Sequence, residues 1–191
     1  AGWAGCAAAV EATRLGHHVT IFEASRTAGG RARRVMASVA GQPLVLNGAG
    51  ARYRAVFKVY VAGLYLPRKT HLVDEILKAG AEPRRLQLTM LRDIDAAEFG
   101  KMFYRGMEDN MDRNAFAKLV PGVMRMSQVF TDFKRNKAGD VIDIDWVPGT
   151  GMTIHVNGKS AGEPFREPEF FAALMRIWLG AKPADWKLKD A

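Results

Sequence analysis

Three separate segments alternate apolar and polar residues, and this feature most restricts what the chain can fold into. The segments are Arg85–Arg92, Val141–Trp146 and Met152–Asn157. A period of two places alternate side chains on opposite faces of a strand, so each segment predicts a strand with one buried face. A Pro-Gly-Thr-Gly turn at 148–151 joins the last two, and the Asn-Gly pair at 157–158 is typical of a hairpin turn. We therefore expect an antiparallel sheet.

Helical patterns lie between and after these strands. Asp95 is the predicted N-cap of a first helix, and a second helical stretch covers 116–130, where Pro121 should kink the helix or start one. A third helix should begin at Pro168 and end at Gly180. Apolar stripes at helical spacing predict the buried faces of the three helices: Phe99, Met102, Phe103, Gly106; Phe116, Leu119, Val120, Val123, Phe130; Phe171, Leu174, Met175, Trp178.

Strands also precede the first of these helices. Gly41–Gly48 predicts a strand between two turns, and Ala51–Leu66 suits one long strand or a tight pair. The order of strands, helices, strands and helix is typical of an α+β domain, with a mostly antiparallel sheet covered by helices on one face. We predict that residues 38–191 form this domain.

Composition excludes several kinds of site. The one cysteine, Cys6, rules out an intrachain disulfide and a multi-cysteine zinc site, and the four histidines form no spaced ligand set. No apolar run reaches the length of about 18 residues that a transmembrane helix needs. The net charge of +8 comes from 28 basic and 20 acidic side chains and is densest at Arg31–Arg34. No nucleic-acid-binding motif accompanies it, so we interpret the excess as a solvated surface.

Residues 1–37 have a different character from the rest. A glycine-rich turn and a run of small residues predict a helix that ends at Gly16, and His18–Glu23 predicts a short apolar strand closed by an acid. In a dinucleotide site, such a turn directs backbone N–H groups at the pyrophosphate, and an acid about 20 residues later binds the ribose.

With the later Gly-Gly-Arg-Ala-Arg run at 29–33, this segment resembles the start of FAD-dependent amine oxidases and of phytoene and squalene-type desaturases. The resemblance implies FAD contacts by Gly2, Gly5, Glu23, Gly30 and Arg31. The family's first strand and first motif glycine are not in the sequence. We therefore interpret 1–37 as a truncated, incomplete Rossmann-like βαβ fragment, expect no FAD binding, and leave open whether the fusion is natural or an artefact.

Residues 39–191 are similar to the chalcone isomerase-like family, most of all to its bacterial branch. The segments that carry the likeness are Asn47–Arg52, Phe57–Leu66, Trp146–Gly151, Val156–Lys159 and Arg176–Pro183. Membership implies an open-faced β-sandwich, in which helices cover a large antiparallel sheet and a ligand cleft lies between the two layers. It also implies that no metal or organic cofactor is required.

The resemblance points to Arg52 as the first site residue. Plant chalcone isomerases close a flavanone ring by adding a phenolate to an enone, which requires a cation for the phenolate and a hydrogen-bond donor for the developing enolate. Their catalytic arginine follows Ala-Gly-x, and Arg52 stands in that position. Arg54 would lie on the same face of a regular strand, so both arginines could share one anionic ligand. The alternative for Arg52 is a surface ion pair.

Tyr60 stands where the plant enzymes place a catalytic threonine. An arginine and a tyrosine suit a carboxylate, because a charge-assisted bond and a neutral donor can converge on its two oxygens. Non-catalytic members of this fold bind fatty acids in that manner. Tyr60 could equally be a packed core residue. Tyr104, on the first helix, is a further candidate for ligand binding, and its side chain could face either the cleft or solvent.

The leading hypothesis is a domain that binds a small carboxylate, such as a fatty acid, or an enone through these residues, without efficient catalysis. The second is a true isomerase, an intramolecular lyase acting on a chalcone-like enone, and the third is a fragment of an FAD-dependent oxidoreductase. We expect no nucleic-acid partner. The compartment stays open: the sequence as it stands suits the cytoplasm, whereas bacterial relatives often carry an export signal before the strand that corresponds to Leu44–Leu46.

Overall fold

The computed structural model describes residues 11–19, 36–54, 56–132 and 135–190. The chain folds as two units, Ala1–Val35 and Met36–Ala191. Within the first unit, residues 11–14 are helical. The residues predicted to contact FAD all lie outside the described residues: Gly2, Gly5, Glu23, Gly30 and Arg31.

The second unit is an α+β domain, as predicted. In chain order, its described elements are β1 (Met36–Val39), β2 (Gln42–Arg54), β3 (Phe57–Leu66), α1 (Val73–Leu77), β4 (Arg84–Met90), β5 (Ile94–Asp95), α2 (Ala96–Glu108), α3 (Arg113–Asp132), β6 (Arg135–Asn136), β7 (Val141–Val147), β8 (Gly151–Val156), β9 (Lys159–Ser160), α4 (Pro168–Leu179) and α5 (Trp186–Lys189). Antiparallel pairing joins seven of these strands in the order β1-β2-β3-β4-β7-β8-β9, while β5 pairs only with β6.

Helices α2, α3 and α4 cover one face of the large sheet, and the main core lies between the two layers. Each inner strand contributes alternate residues to this core, which is why β4, β7 and β8 show a period of two in the sequence. The buried side chains on this face of the sheet include Tyr60, Ala62, Leu64, Leu86, Leu88, Met90, Ile142, Ile144, Trp146, Met152, Ile154 and Val156.

Most predicted helix ends are confirmed. The Asp95 side chain accepts hydrogen bonds from the N–H groups of Ala97 and Glu98 at the start of α2, and α4 begins at Pro168 and has Gly180 as its C-cap. The prediction that Pro121 could start a helix is wrong, because α3 runs from Arg113 to Asp132 with Pro121 inside it.

The segment Ala51–Leu66 forms the tight pair that was one of its two predicted arrangements. Strand β2 ends at Arg54 and β3 begins at Phe57. Strand β2 is longer than predicted, because Gly41–Gly48 and the first half of this segment join into one strand of 13 residues.

A register shift at Asn47 changes the face on which the residues of β2 lie. Leu46 is paired with Tyr65, whereas Gly48 is paired with Leu64, so Asn47 is the extra residue of a bulge. Because the side-chain period of a strand is two, one extra residue exchanges the two faces. After the bulge, Gly48, Gly50 and Arg52 therefore lie on the helix-covered face, and Arg52 is paired with Tyr60.

The opposite face of the sheet is held by polar contacts. The Arg85 guanidinium donates two hydrogen bonds to Asp145, at 2.7 and 2.6 Å, and Gln87 donates one to Asp143 at 2.9 Å. The hydrogen bond to Asp145 raises the pKa of Arg85, although burial opposes that rise. This face thus carries a polar network of one guanidinium, two carboxylates and an amide, separate from the apolar core.

The turn between β7 and β8 offers a test of the fold. Gly149 and Gly151 both have positive φ, at 78° and 108°, but a Cβ at Gly149 would meet open space while one at Gly151 would collide with the backbone of Phe165. We expect Gly149→Ala to cost about 1 kcal/mol of unfolding free energy and Gly151→Ala about 3 kcal/mol. Urea denaturation measures both, and equal losses would contradict the close packing of Gly151.

Candidate ligand-binding site

Arg52 and Tyr60 lie side by side on adjacent strands beneath the helices. The guanidinium carbon of Arg52 is 5.6 Å from the centre of the Tyr60 ring. Tyr60 is only 1% exposed, and the Nε1–H of Trp178 in α4 donates a hydrogen bond to its hydroxyl oxygen at 2.9 Å. The structure thus brings the two residues predicted from the sequence together and adds a third, Trp178.

The charge of Arg52 is not balanced by an ion pair with any described residue. The side chain is half-buried, and its Nε is fully buried without a hydrogen-bond partner. Leaving a buried donor unpaired costs free energy, and more so in a charged group. The guanidinium is therefore ready to receive an anionic hydrogen-bond acceptor.

Tyr60 stays neutral in this environment. Burial raises the pKa of Tyr60, and the Asp185 carboxylate adds to the rise, while the charge of Arg52 and the hydrogen bonds from Trp178 and Arg52 act in the opposite direction. The net result is a pKa above the ordinary value of about 10. A neutral phenol that accepts a hydrogen bond from Trp178 keeps its own proton free to donate to a ligand.

A cavity of about 310 Å³ lies next to this cluster, between the sheet and the helices α1, α4 and α5. Most of its wall is apolar, formed by Ala62, Leu64, Val73, Ile76, Leu86, Met175, Trp178, Leu179 and Leu188. The polar side chains of its wall are Asn47, Thr70, His71, Lys189 and Asp190. Arg52 and Tyr60 do not line the cavity, whereas Trp178 both lines it and bonds to Tyr60. The Trp178 indole therefore connects the apolar space to the polar pair.

The C-terminal segment closes the outer side of this region. The Asp185 carboxylate accepts hydrogen bonds from the N–H of Tyr53 in β2, at 2.8 Å, and from the N–H of Lys187, at 2.9 Å. These two bonds cap α5 and attach it to β2. Two residues of α5 and its C-cap, 188–190, then form part of the cavity wall.

The other two predicted site residues lie elsewhere. Arg54 forms an exposed ion pair with Glu98 of α2 and lines a separate cavity of about 330 Å³. Tyr104 is half-buried, and its ring packs edge-on against Phe116 of α3 with the ring centres 5.1 Å apart. The structure therefore does not bring Arg54 or Tyr104 to the cavity beside Trp178.

The role of Trp178 was missed in the sequence because its position belongs to the apolar stripe of α4. The one signal was the indole N–H, since a buried tryptophan usually needs a hydrogen-bond partner. Across the described ranges, no group of three or more His, Cys, Asp or Glu side chains is arranged to hold a metal ion. In the same part of the chain, no helix is long and apolar enough to cross a membrane.

A family model described as chalcone isomerase-like matches residues 25–191. The chain belongs to the chalcone isomerase-like family. Among solved structures, the domain is similar to an Arabidopsis thaliana fatty-acid binding protein, with a TM-score of 0.63 and 14% sequence identity, over 80% of this chain and 87% of that one. At this identity, the likeness shows the fold alone. No curated protein matches the sequence.

The match overlaps part of the N-terminal segment of this chalcone isomerase-like chain. The family model begins at residue 25, inside the segment 1–37 that was predicted to be a flavoprotein fragment. The boundary at 37/38, the FAD resemblance and the assignment to the bacterial branch remain predictions.

Substitution of Tyr60 tests the burial of its hydroxyl in the chalcone isomerase-like domain. Tyr60→Phe leaves the Trp178 N–H unpaired, so we expect a loss of about 1–2 kcal/mol in unfolding free energy at neutral pH. Above about pH 10, the unfolded tyrosine loses its proton while the folded one keeps it, so the stability of the wild type falls with rising pH. The phenylalanine variant lacks this dependence.

The difference in unfolding free energy between the wild type and Tyr60→Phe should therefore narrow as the pH rises above about 10. Chemical denaturation of both proteins from neutral to alkaline pH measures this difference. A difference that stays constant over this range would show that the pKa of Tyr60 is not raised by folding.

Proposed function

We propose that this domain binds a small carboxylate ligand, with a fatty acid as the favoured class, and that it does so without efficient catalysis. Arg52 and Tyr60 hold the carboxylate, and the cavity next to Trp178 takes the acyl chain. The observation that carries the proposal is the Arg52 guanidinium, which lies on the helix-covered face with its buried Nε unpartnered.

The chemistry of the pair suits a carboxylate. A guanidinium donates charge-assisted hydrogen bonds, and the neutral Tyr60 hydroxyl adds a second donor for the other oxygen. Binding an anion here also satisfies the Arg52 N–H group that the free protein leaves unpaired. The ligand thus removes an existing energetic cost besides adding contacts.

The size of the cavity, about 310 Å³, limits the acyl chain. This volume lies at the lower end of the range for small-molecule sites, so a short or medium-length chain fits it better than a long one. For the carboxylate of such a ligand to reach Arg52, the Trp178 indole has to turn aside. Its hydrogen bond to the Tyr60 hydroxyl then breaks, and the hydroxyl bonds to the ligand instead.

The relative with the same fold is named as a fatty-acid binding protein, and that name supports a fatty acid as the ligand class. The isomerase hypothesis is weaker, because the bulky Tyr60 replaces the threonine of the plant enzymes and fills space near the guanidinium. The oxidoreductase hypothesis depends on residues 1–37 alone, and nothing in the Arg52 cluster supports it.

Titration with decanoate tests the anchor. Arg52→Gln removes the charge, so we expect the affinity for decanoate to fall about 10–100-fold, since hydrogen bonds to charged groups contribute about 1.5–3 kcal/mol. Arg54→Gln is the matched control, because Arg54 is exposed and already paired with Glu98, and it should leave the affinity unchanged. Isothermal titration calorimetry measures all three proteins. Equal affinities for the wild type and Arg52→Gln would overturn the assignment.

A cyclisation assay separates binding from catalysis. With a chalcone as substrate, we expect the loss of chalcone absorbance in the presence of the wild type to match that in the presence of Arg52→Gln. Rapid turnover that disappears in Arg52→Gln would instead support the isomerase hypothesis and contradict a purely binding role.

A further inference from the structure

Exposed apolar side chains gather at the end of the sheet where β2 turns into β3. Val56 is 81% exposed in this turn, and Phe57 and Tyr53 beside it are 58% and 41% exposed. Leu91, 42% exposed, follows β4 and donates its N–H to the backbone of β3. Trp186 at the start of α5 is 59% exposed, next to the Asp185 side chain that binds the N–H of Tyr53. We call these five residues the tip patch.

The tip patch contains every large aromatic side chain that is exposed in the described ranges, namely Tyr53, Phe57 and Trp186. Single exposed apolar residues are ordinary on protein surfaces, but a cluster of them marks an interaction site. The exposure of Val56 also indicates that the tip of the turn projects from the surface, while Phe57 beside it borders the cavity of about 330 Å³ that Arg54 lines.

Each exposed ring of the tip patch has a cation over it. Lys58 lies 5.9 Å from the centre of the Tyr53 ring, Arg92 lies 4.9 Å from that of Phe57, and Lys189 lies 5.2 Å from that of Trp186. Among the residues that the structure describes, none of these three cations forms an ion pair with a carboxylate.

Two of the neighbouring acids are already occupied. Glu98 is paired with Arg54, and the Asp185 carboxylate accepts two backbone N–H bonds. The exposed Lys58 and Arg92 are therefore available to an anionic partner, whereas the half-buried Lys189 donates a hydrogen bond to the Gly180 carbonyl oxygen at 2.9 Å. Aromatic rings with lysine and arginine at their edges are typical of surfaces that enter the headgroup region of a bilayer.

We propose that the tip patch docks the domain on the surface of an anionic phospholipid bilayer. Val56 and the aromatic rings enter the interface, while Lys58 and Arg92 contact the lipid phosphates. The charge complementarity and the projecting shape of the turn favour a bilayer over a protein groove. The proposal goes beyond the ligand assigned to Arg52 and does not depend on it.

Co-sedimentation of the full chain with vesicles tests the proposal. Vesicles of phosphatidylcholine and phosphatidylglycerol in about a two-to-one mixture should bind the wild type, and vesicles of phosphatidylcholine alone should bind it more weakly. Val56→Ser with Phe57→Ser should lower the partition coefficient about tenfold or more, because both apolar side chains are lost from the interface. Lys58→Gln with Arg92→Gln should lower it about fivefold for each charge removed.

Met124→Ser is the matched control, because Met124 is 60% exposed on α3, outside the tip patch. This variant should bind the anionic vesicles as the wild type does. Circular dichroism and thermal unfolding check that the variants are folded. The basic cluster Arg31–Arg34 offers a second source of attraction to anionic vesicles. Binding that survives Val56→Ser with Phe57→Ser would point to that cluster and overturn the proposal.

Failure of the wild type to bind the anionic vesicles would overturn it as well. If the wild type is instead a dimer by analytical ultracentrifugation, and Val56→Ser with Phe57→Ser converts it to a monomer, the tip patch joins two copies of the chain and the bilayer proposal is wrong.

Discussion

The register shift at Asn47 decides which face of the sheet carries Arg52. Before the shift, Leu46 lies with Tyr65 on the face opposite the helices, and after it Gly48 lies with Leu64 beneath them. The Asn47 side chain also accepts a hydrogen bond from the N–H of Thr70 at 2.9 Å, which ties the bulge to the following loop. Without this extra residue, Arg52 would lie on the face opposite the helices, away from Tyr60 and Trp178.

Beneath the helices, the same arginine meets a different environment. Tyr60 and Trp178 supply a neutral hydroxyl and an indole N–H, but no carboxylate among the described residues pairs with the guanidinium. A charge held there without a counter-ion costs free energy, and a bound anion would offset that cost. The apolar cavity on the other side of Trp178 supplies the second half of an amphipathic site.

Much of the fold could be predicted because its signals are local. The period of two in β4, β7 and β8, the cap at Asp95 and the Asn-Gly turn at 157–158 each depend on neighbouring residues alone. The shift at Asn47 gave no such signal, because the glycines at 48 and 50 have no side chains to reveal which face is buried. Of the two predictions for Pro121, a kink or a helix start, the helix start was wrong, because α3 runs through this position.

The candidate site was predictable only in part, because most of its contacts join residues that are far apart in the sequence. Arg52 and Tyr60 follow from a family motif, but the partners of Arg54 and Tyr104 are on other helices and depend on how the elements pack. Trp178 looks like any other core residue in its stripe, and its hydrogen bond to Tyr60 spans 118 positions of the chain. Contacts over such separations leave no trace in a single sequence.

A crystal structure of the domain with bound decanoate tests the role of Arg52 as the anchor most directly. We expect the carboxylate to lie within hydrogen-bonding distance of the Arg52 guanidinium and the Tyr60 hydroxyl, with the acyl chain in the cavity and the Trp178 indole turned away from Tyr60. A carboxylate bound instead to Lys189 or His71 in the cavity wall, with the bond between Trp178 and Tyr60 intact, would contradict that role.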